Sequence, residues 1–244
     1  FLLPNMDRRT YSACRSVVCH AQLDNQQGNI GMNKGPVSAD EALIMLEDGN
    51  ARFVGDERCG DSYQRHTKLE EHLDDQSPFA IVLGCADSRV PVEIVFDVGL
   101  GDLFVIRVAG NVVTPALIGS VELAAEKLGP RLVVVLGHSG CGAVDIALST
   151  LESNDVETSG YVNAILERIR PAIEPLVGNA EGLNRNELMA RSVRANVQAG
   201  VESLRHGSET LEHLIREEGL LVVGAEYSLE TGVVHFFEGA GDNG

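Results

Sequence analysis

The sequence predicts an α/β fold with a mostly parallel central β-sheet, about four parallel strands plus one antiparallel edge strand, flanked by helices. Four short apolar runs lack the alternation of apolar and polar residues, which is typical of strands covered on both faces. Segments with helical periodicity lie between these runs, and strands that alternate with helices build parallel sheets. The four runs are Phe79–Leu83, Leu103–Ile106, Leu132–Leu136 and Leu220–Val223.

The remaining elements follow in order along the chain. Ser38 to Glu41 has the pattern of a capping box, in which each side chain bonds the other's backbone N–H, and this predicts the start of a helix. Apolar residues at helical spacing predict two further helices, over residues 117–128 and 189–204. A turn at Glu230–Gly232 leads into Val233–Phe237, which is the predicted antiparallel edge strand.

The length of 244 residues suits one main domain with a sizeable core. We expect this domain to span residues 36–244, and residues 1–35 to form an N-terminal extension or helical arm, with a short helix over residues 8–20. Residues 54–77 are polar and carry clustered charge, which predicts a surface loop with one helical turn at most.

The charge balance restricts the classes of partner. The chain has 19 basic and 36 acidic side chains, a formal net charge of −17. Such a surface argues against binding to nucleic acid, whose phosphates require basic side chains, and against adhesion to anionic lipid. No apolar stretch approaches 18 residues, so we expect no membrane span.

The cysteines argue for free thiols. Their number, five, is odd, and the chain is long, so a disulfide framework is a poor explanation. Free thiols, metal ligands or a nucleophile explain them better. Reduced cysteines favour a cytoplasmic location, while the acidic composition and a chain that begins at Phe1 keep periplasm, organelle or secretion as alternatives.

Two groups of reactive side chains follow two of the predicted strands. Cys85, Asp87 and Arg89 follow the first strand, and His138 and Cys141 follow the third. Ligands of parallel sheets bind at the carboxyl ends of strands, and two cysteines with one histidine are a typical zinc set that leaves one position open. The alternative is that the cysteines are core residues, the histidine is a loop residue and Asp87–Arg89 is a surface ion pair. An ionised Asp87 could instead accept a hydrogen bond from metal-bound water or bind the metal itself.

Other motifs are incomplete. Gly99–Gly101 lacks the third glycine of a dinucleotide site, and a strand follows it where a helix is required. Gly137–Cys141 begins like the nucleophile elbow of serine hydrolases, but its fifth position is cysteine. A serine hydrolase is therefore the weaker alternative, and the sequence contains no Cys-x-x-Cys motif of the thioredoxin type.

Together these motifs identify a family. Cys85-x-Asp-x-Arg89, followed 53 positions after the cysteine by His138-x-x-Cys141, resembles the β-class carbonic anhydrases. Flanking segments match as well, from about Ser38 to Glu238, so that residues 36–244 are expected to form a β-carbonic-anhydrase-like catalytic domain. The flanking segments are Gly84–Glu93, Phe104–Asn111, Gly119–Glu122 and Leu136–Gly142.

The resemblance implies roles for eight residues. The implied sets are the zinc ligands Cys85, His138 and Cys141, the orienting pair Asp87 and Arg89, and the substrate-binding residues Gln76, Phe104 and Gly142. Asp87 is also a possible fourth ligand in a closed form of the site. Two positions depart from family patterns. Leu123 replaces the Tyr or Phe of many members, and Val82 replaces the Trp of the subgroup that has a regulatory bicarbonate site. The chain is therefore similar to the subgroup without that site.

The resemblance implies zinc-dependent, reversible hydration of carbon dioxide to bicarbonate and a proton, by attack of zinc-bound hydroxide on the carbon. It further implies a homodimer or a dimer of dimers with exchanged arms. Carbon disulfide or carbonyl sulfide hydrolysis on the same site is an alternative, because both substrates have an electrophilic carbon. An inactive zinc-binding interaction module is the non-enzyme alternative, and the presence of Asp87 and Arg89 argues against it.

Overall fold

The structure is a computed structural model that describes residues 37–57, 76–153 and 157–239. The strands are β1 Ala80–Gly84, β2 Leu103–Arg107, β3 Leu132–His138, β4 Leu221–Tyr227 and β5 Val234–Glu238. The helices are α1 Ala39–Val54, α2 Val92–Val95, α3 Pro115–Lys127, α4 Gly142–Glu152, α5 Gly160–Gly178, α6 Arg185–His206 and α7 Glu209–Glu217, with a 3₁₀ turn at Ala109–Asn111.

The strands form a five-stranded sheet in the order β2-β1-β3-β4-β5. The first four strands run parallel, and β5 pairs antiparallel with β4 at the edge. This confirms the predicted fold class. Because β1 pairs directly with β3, with Gly84 opposite Leu136, the carboxyl ends of these two strands are neighbours.

Both faces of the sheet are covered, which explains the apolar runs without alternation. On one face, Val82 and Val134 belong to the buried cluster that includes Leu46 of α1. On the other face, Ile81 and Val133 belong to the cluster built with α3, α6 and α7. Adjacent residues of a strand point to opposite faces, so every position in β1 and β3 is buried.

Helix α6 lies unusually close to β3. A Cβ atom on Gly137 of β3 would lie 2.5 Å from Val197 Cγ2, and one on Gly200 of α6 would lie 3.0 Å from Val135 Cγ1. Larger residues at either position would push the helix away from the strand. The two glycines therefore fix α6 against the strand that ends at His138.

The predicted capping box is confirmed at the start of α1. The Glu41 N–H donates to Ser38 Oγ at 3.3 Å, and the Ser38 N–H donates to Glu41 Oε2 at 3.0 Å. Helices α2, α5 and α7 were not predicted from the sequence. Helix α5 contains Pro171 and Pro175, residues that ordinarily interrupt a helical pattern.

Several predictions concern residues outside the described ranges. The N-terminal arm over residues 1–35 and most of the loop over residues 54–77 stay predictions. Within the described ranges, no helix is both long and apolar enough to cross a membrane.

Candidate metal centre

The sheet brings Cys85, His138 and Cys141 together. Cys85 directly follows β1, His138 is the last residue of β3, and Cys141 precedes the first residue of α4 as its N-cap. One potential ligand atom from each residue lies within 4.8 Å of the other two. All three side chains are buried. The expected proximity of the two strand ends is therefore observed, in a cluster small enough for one ion to contact all three residues.

The His138 ring is oriented by the backbone. Its Nδ1 lies 3.0 Å from the Ser139 carbonyl oxygen. Since a carbonyl only accepts hydrogen bonds, Nδ1 carries a proton, which leaves Nε2 as the ring atom that can bind a metal. Among the described residues this buried Nε2 has no hydrogen-bond partner. An unpaired buried polar atom is costly, and a metal ion would satisfy it.

Ser139 connects this ring to the β4–β5 hairpin. Its N–H donates to the Tyr227 carbonyl at 2.9 Å, and its Oγ accepts the Leu229 N–H at 2.9 Å. The residue whose carbonyl orients His138 is thus held by the end of β4 and by the turn that follows it. Sequence analysis assigned no role to Ser139, because these partners are distant in the chain.

The two thiols differ in their tendency to ionise. A hydrogen bond with the Cys141 thiol and the backbone N–H groups of Asp87 and Gly110 lower the pKa of Cys85 to about 4, although burial raises it. Proximity to the Cys85 sulfur and burial raise the pKa of Cys141 far above its ordinary value. Two adjacent sulfurs do not both hold a negative charge without a cation between them, which makes the cluster suitable for a divalent metal.

Asp87 and Arg89 form a doubly hydrogen-bonded pair beside the cluster. Arg89 Nε donates to Asp87 Oδ1 at 3.0 Å, and a terminal guanidinium nitrogen donates to Oδ2 at 2.8 Å. The Arg89 backbone N–H donates to Oδ1 as well, at 2.9 Å. The Arg89 guanidinium holds the pKa of Asp87 well below its usual range. The Oδ2 atom lies 4.0 Å from His138 Nε2, so an ionised carboxylate faces the cluster.

Arg107 supports the loop that carries these groups. At the end of β2, its side chain donates to the Cys85 carbonyl at 2.9 Å and to the Asp87 carbonyl at 2.5 Å. Arg107 lies in the segment Phe104–Asn111 that matches the family, but no role was predicted for it from the sequence. A charged residue that ends an apolar strand beside the reactive loop is the signal that could have identified it.

The comparisons with known proteins agree with this geometry. Residues 80–234 match the family model described as carbonic anhydrase. A tetrameric β-carbonic anhydrase of Sordaria macrospora superposes with a TM-score of 0.65 at 25% identity, covering 80% of this chain and 96% of that one. The chain belongs to the β-class carbonic anhydrase family.

Curated relatives cover most of both chains. A carbonic anhydrase of Mycolicibacterium smegmatis is 41% identical over 215 residues, which is 87% of this chain and 98% of the relative. Carbonic anhydrase 2 of Mycobacterium tuberculosis is 39% identical over 203 residues, which is 82% of this chain and 92% of the relative. These matches confirm the prediction that the chain is an enzyme of the carbonic anhydrase class.

The three residues that the resemblance implies for substrate binding lie at different distances from the ligand cluster. Gly142 directly follows Cys141, is exposed, and has open space where a Cβ would be. Gln76 is exposed and precedes the amino end of β1, at the opposite end of the strand from Cys85. Phe104, the second residue of β2, is partly buried and packs against the cluster that contains Ile81 and not against the ligand cluster. The single chain therefore brings Gly142 to the centre but not Gln76 or Phe104.

The two positions that depart from family patterns differ in exposure. Val82 is fully buried in the sheet, on the face covered by α1. Leu123 on α3 is about half exposed. The residue that replaces the regulatory Trp therefore belongs to the packed core.

Proposed function

We propose that this chain catalyses the reversible hydration of carbon dioxide to bicarbonate and a proton with a zinc ion held by Cys85, His138 and Cys141. The observation that carries this proposal is the buried Cys–His–Cys cluster with an unpaired Nε2, beside a carboxylate held by Arg89. A set of two cysteines and one histidine fits zinc, and three protein ligands leave a fourth position for water. When bound, zinc lowers the pKa of water towards about 7, so that hydroxide is available near neutral pH.

Asp87 is proposed to orient the nucleophile. An ionised carboxylate only accepts hydrogen bonds, so Asp87 selects a partner that presents a proton to it. Arg89 occupies both carboxylate oxygens and fixes their direction. Oδ1 accepts two hydrogen bonds from Arg89 and Oδ2 accepts one, so Oδ2 keeps a lone pair for a hydrogen bond from a water molecule beside the metal.

Gly142 is proposed to keep the substrate position open. It begins α4, where backbone N–H groups of the first turn have no partner within the helix. With no Cβ at Gly142 and space around it, a substrate oxygen can approach one of these N–H groups. The N–H would stabilise negative charge that develops on that oxygen during the reaction.

A homodimer or dimer of dimers is proposed to complete the site. One chain places Gln76 and Phe104 away from the ligand cluster, so their implied roles toward substrate require a second copy. Support comes from the Sordaria macrospora relative, whose structure is described as tetrameric. In such an assembly, Gln76 would donate a hydrogen bond to a substrate oxygen and Phe104 would contribute apolar surface to the pocket.

The proposed activity is tested by metal analysis and stopped-flow kinetics on the full chain. We expect one zinc per chain and a carbon dioxide hydration rate that disappears on chelation and returns in proportion to added zinc. Carbon disulfide and carbonyl sulfide are assayed in parallel. A zinc-loaded protein that hydrolyses either sulfur compound but does not hydrate carbon dioxide would contradict the proposed substrate. A protein that binds no zinc would contradict the ligand set.

A further inference from the structure

Two hydrogen bonds connect helix α6 to the sulfur of Cys85. Asn196 donates from Nδ2 to the Gly110 carbonyl at 2.8 Å, and the Gly110 N–H donates to Cys85 Sγ at 3.3 Å. All three residues are buried, so bulk water does not replace either bond. We propose that Asn196 is a positioning residue for the metal centre, which holds Gly110 so that its N–H donates to the Cys85 thiolate. This inference rests on the proposed ligand set of Cys85, His138 and Cys141.

The turn that carries Gly110 needs support from outside. Gly110 has φ +69° and the adjacent Asn111 has φ +43°, two successive residues in a region that residues with a Cβ rarely adopt. A Cβ on Gly110 would lie 2.9 Å from Ile169 Cδ1 and 3.0 Å from the Ala143 Cβ. The position therefore requires glycine. Glycine is the most flexible residue, yet its N–H must be held in one direction here to donate to Cys85. The bond from Asn196 supplies a restraint that glycine itself lacks.

Asn196 is well placed to act as such a restraint. It lies next to Val197, which contacts the Gly137 position of β3, and one turn before Gly200, where the helix again approaches the strand closely. Helix α6 is thus fixed against the strand that ends at His138. A hydrogen bond from a side chain on this fixed helix therefore holds the turn around Gly110 in a defined position relative to β3.

Donation of an N–H to a ligand sulfur has a chemical consequence. The hydrogen bond draws electron density from the thiolate, which then donates less strongly to a bound cation. Loss of the Asn196 restraint would weaken the bond from Gly110. The Cys85 sulfur would then donate more strongly, but it would no longer be held in position to bind the metal together with His138 and Cys141, and this loss of preorganisation outweighs the stronger donation. Removal of such outer partners typically costs about 10–100-fold in metal affinity or activity.

The alternative is that Asn196 only satisfies the Gly110 carbonyl and stabilises the fold. Ser192 provides a matched control, because it is a fully buried polar residue one turn earlier on the same helix. Its hydroxyl has no hydrogen-bond partner among the described residues. Ser192→Ala therefore perturbs the same packing layer without breaking the connection to Cys85.

The test uses the full chain loaded with cobalt(II), whose thiolate-to-metal charge-transfer band reports electron donation by sulfur. Asn196→Leu keeps a similar volume and removes the donor, and Asn196→Ser is the second variant if the first does not fold. We expect the band to move to longer wavelength and zinc affinity, measured by chelator competition, to fall by about 10–100-fold. Ser192→Ala should match the wild type in both measurements.

A further measurement does not depend on any variant. In wild-type protein loaded with ¹¹³Cd, a scalar coupling between the Gly110 amide proton and the metal is expected through the Cys85 sulfur. Absence of this coupling would overturn the proposal, as would folded Asn196 variants with wild-type charge-transfer spectra and zinc affinity. Failure of the wild type to bind cobalt or zinc would instead overturn the proposed ligand set on which the inference rests.

Discussion

The two halves of the candidate site differ in their contact with solvent. Cys85, His138 and Cys141 are between 0% and 5% exposed. The neighbouring pair is more open, with 19% of the Asp87 side chain and 59% of the Arg89 side chain accessible. We call Cys85, His138 and Cys141 the ligand half, which is buried at the carboxyl ends of the strands. We call Asp87 and Arg89 the dyad half, which is in contact with solvent.

Substitutions in the two halves should therefore have different effects. The ligand half is held by the fold and, in the proposed function, supplies metal affinity, so changes there should affect metal content first. The dyad half has little packing to lose, so changes there should affect turnover while the metal stays bound. This comparison makes four predictions, in decreasing order of expected effect.

The largest effect is expected from Cys141→Ala in the ligand half. Two ligands do not hold zinc as three do, so the variant should lose most of its zinc and its activity. Zinc per chain, measured after dialysis, provides the test. Cys59→Ala is the control, since it removes a thiol outside the proposed ligand set. Full zinc retention by Cys141→Ala, or zinc loss in the control alone, would contradict the assignment.

Asp87→Asn in the dyad half should keep zinc but lose about 10²–10³-fold in kcat. The amide is nearly isosteric, but its NH₂ group cannot accept a hydrogen bond and its pairing with Arg89 loses the charge. Arg89→Ala should act in the same direction, and the double variant should be less than additive because the two residues act as one unit.

A matched control is available at the amino-terminal ends of the strands, opposite the candidate site. Arg131 pairs with Glu218 at 2.5 Å near the amino ends of β3 and β4. Glu218→Gln makes the same carboxylate-to-amide change in an arginine pair and should leave kcat unchanged. If zinc-loaded Asp87→Asn turned over within a few-fold of the wild type, the proposed role of the dyad would be wrong.

A smaller effect is expected on acid stability. Because the folded-state pKa of Asp87 is lowered, its pairing stabilises the folded chain above the unfolded-state pKa of about 3.9 and loses that contribution as the pH falls. The contribution should be small, since Arg89 is largely exposed and water screens the pair. Denaturant unfolding of metal-free wild type and Asp87→Asn from pH 6 to pH 3 should show a free-energy difference that shrinks with acidification. A difference independent of pH would exclude this pairing as its source.

No measurable cooperativity is expected in inhibition by bicarbonate. Val82, in place of the regulatory Trp of one subgroup, is buried in the sheet and offers neither a polar group nor space for an anion. Initial rates at increasing bicarbonate should follow a hyperbolic curve. A sigmoidal dependence would show a regulatory site despite this sequence.

Much of the fold followed from local pattern. Runs such as Leu132–Leu136 are apolar without alternation because helices cover both faces, and this property is visible in sequence. The order of the strands was not visible in the same way, because it depends on crossovers between distant segments. Helix α5 was missed because Pro171 and Pro175 interrupt its pattern, although packing against α4 and α6 maintains the helix.

The candidate site was predicted where its residues cluster along the chain. Cys85, Asp87 and Arg89 lie within one short segment, and His138 and Cys141 within another. The supporting residues were not predicted, because their partners are distant: Asn196 contacts Gly110 across 86 positions, and Leu229 contacts Ser139 across 90. Such bonds exist only once the sheet and α6 have assembled.

The pairing of β1 with β3 also bears on the order of events during folding. The proposed ligands are separated by 53 positions between Cys85 and His138, and a flexible loop of that length costs about 3–4 kcal/mol to close. Parallel pairing across an intervening strand and helix is a slow, non-local step. Of the proposed ligands, an unfolded chain therefore offers zinc only one nearby pair, His138 and Cys141. With the proposed ligand set, tight binding of zinc would follow assembly of the sheet, and the bound metal would then slow unfolding.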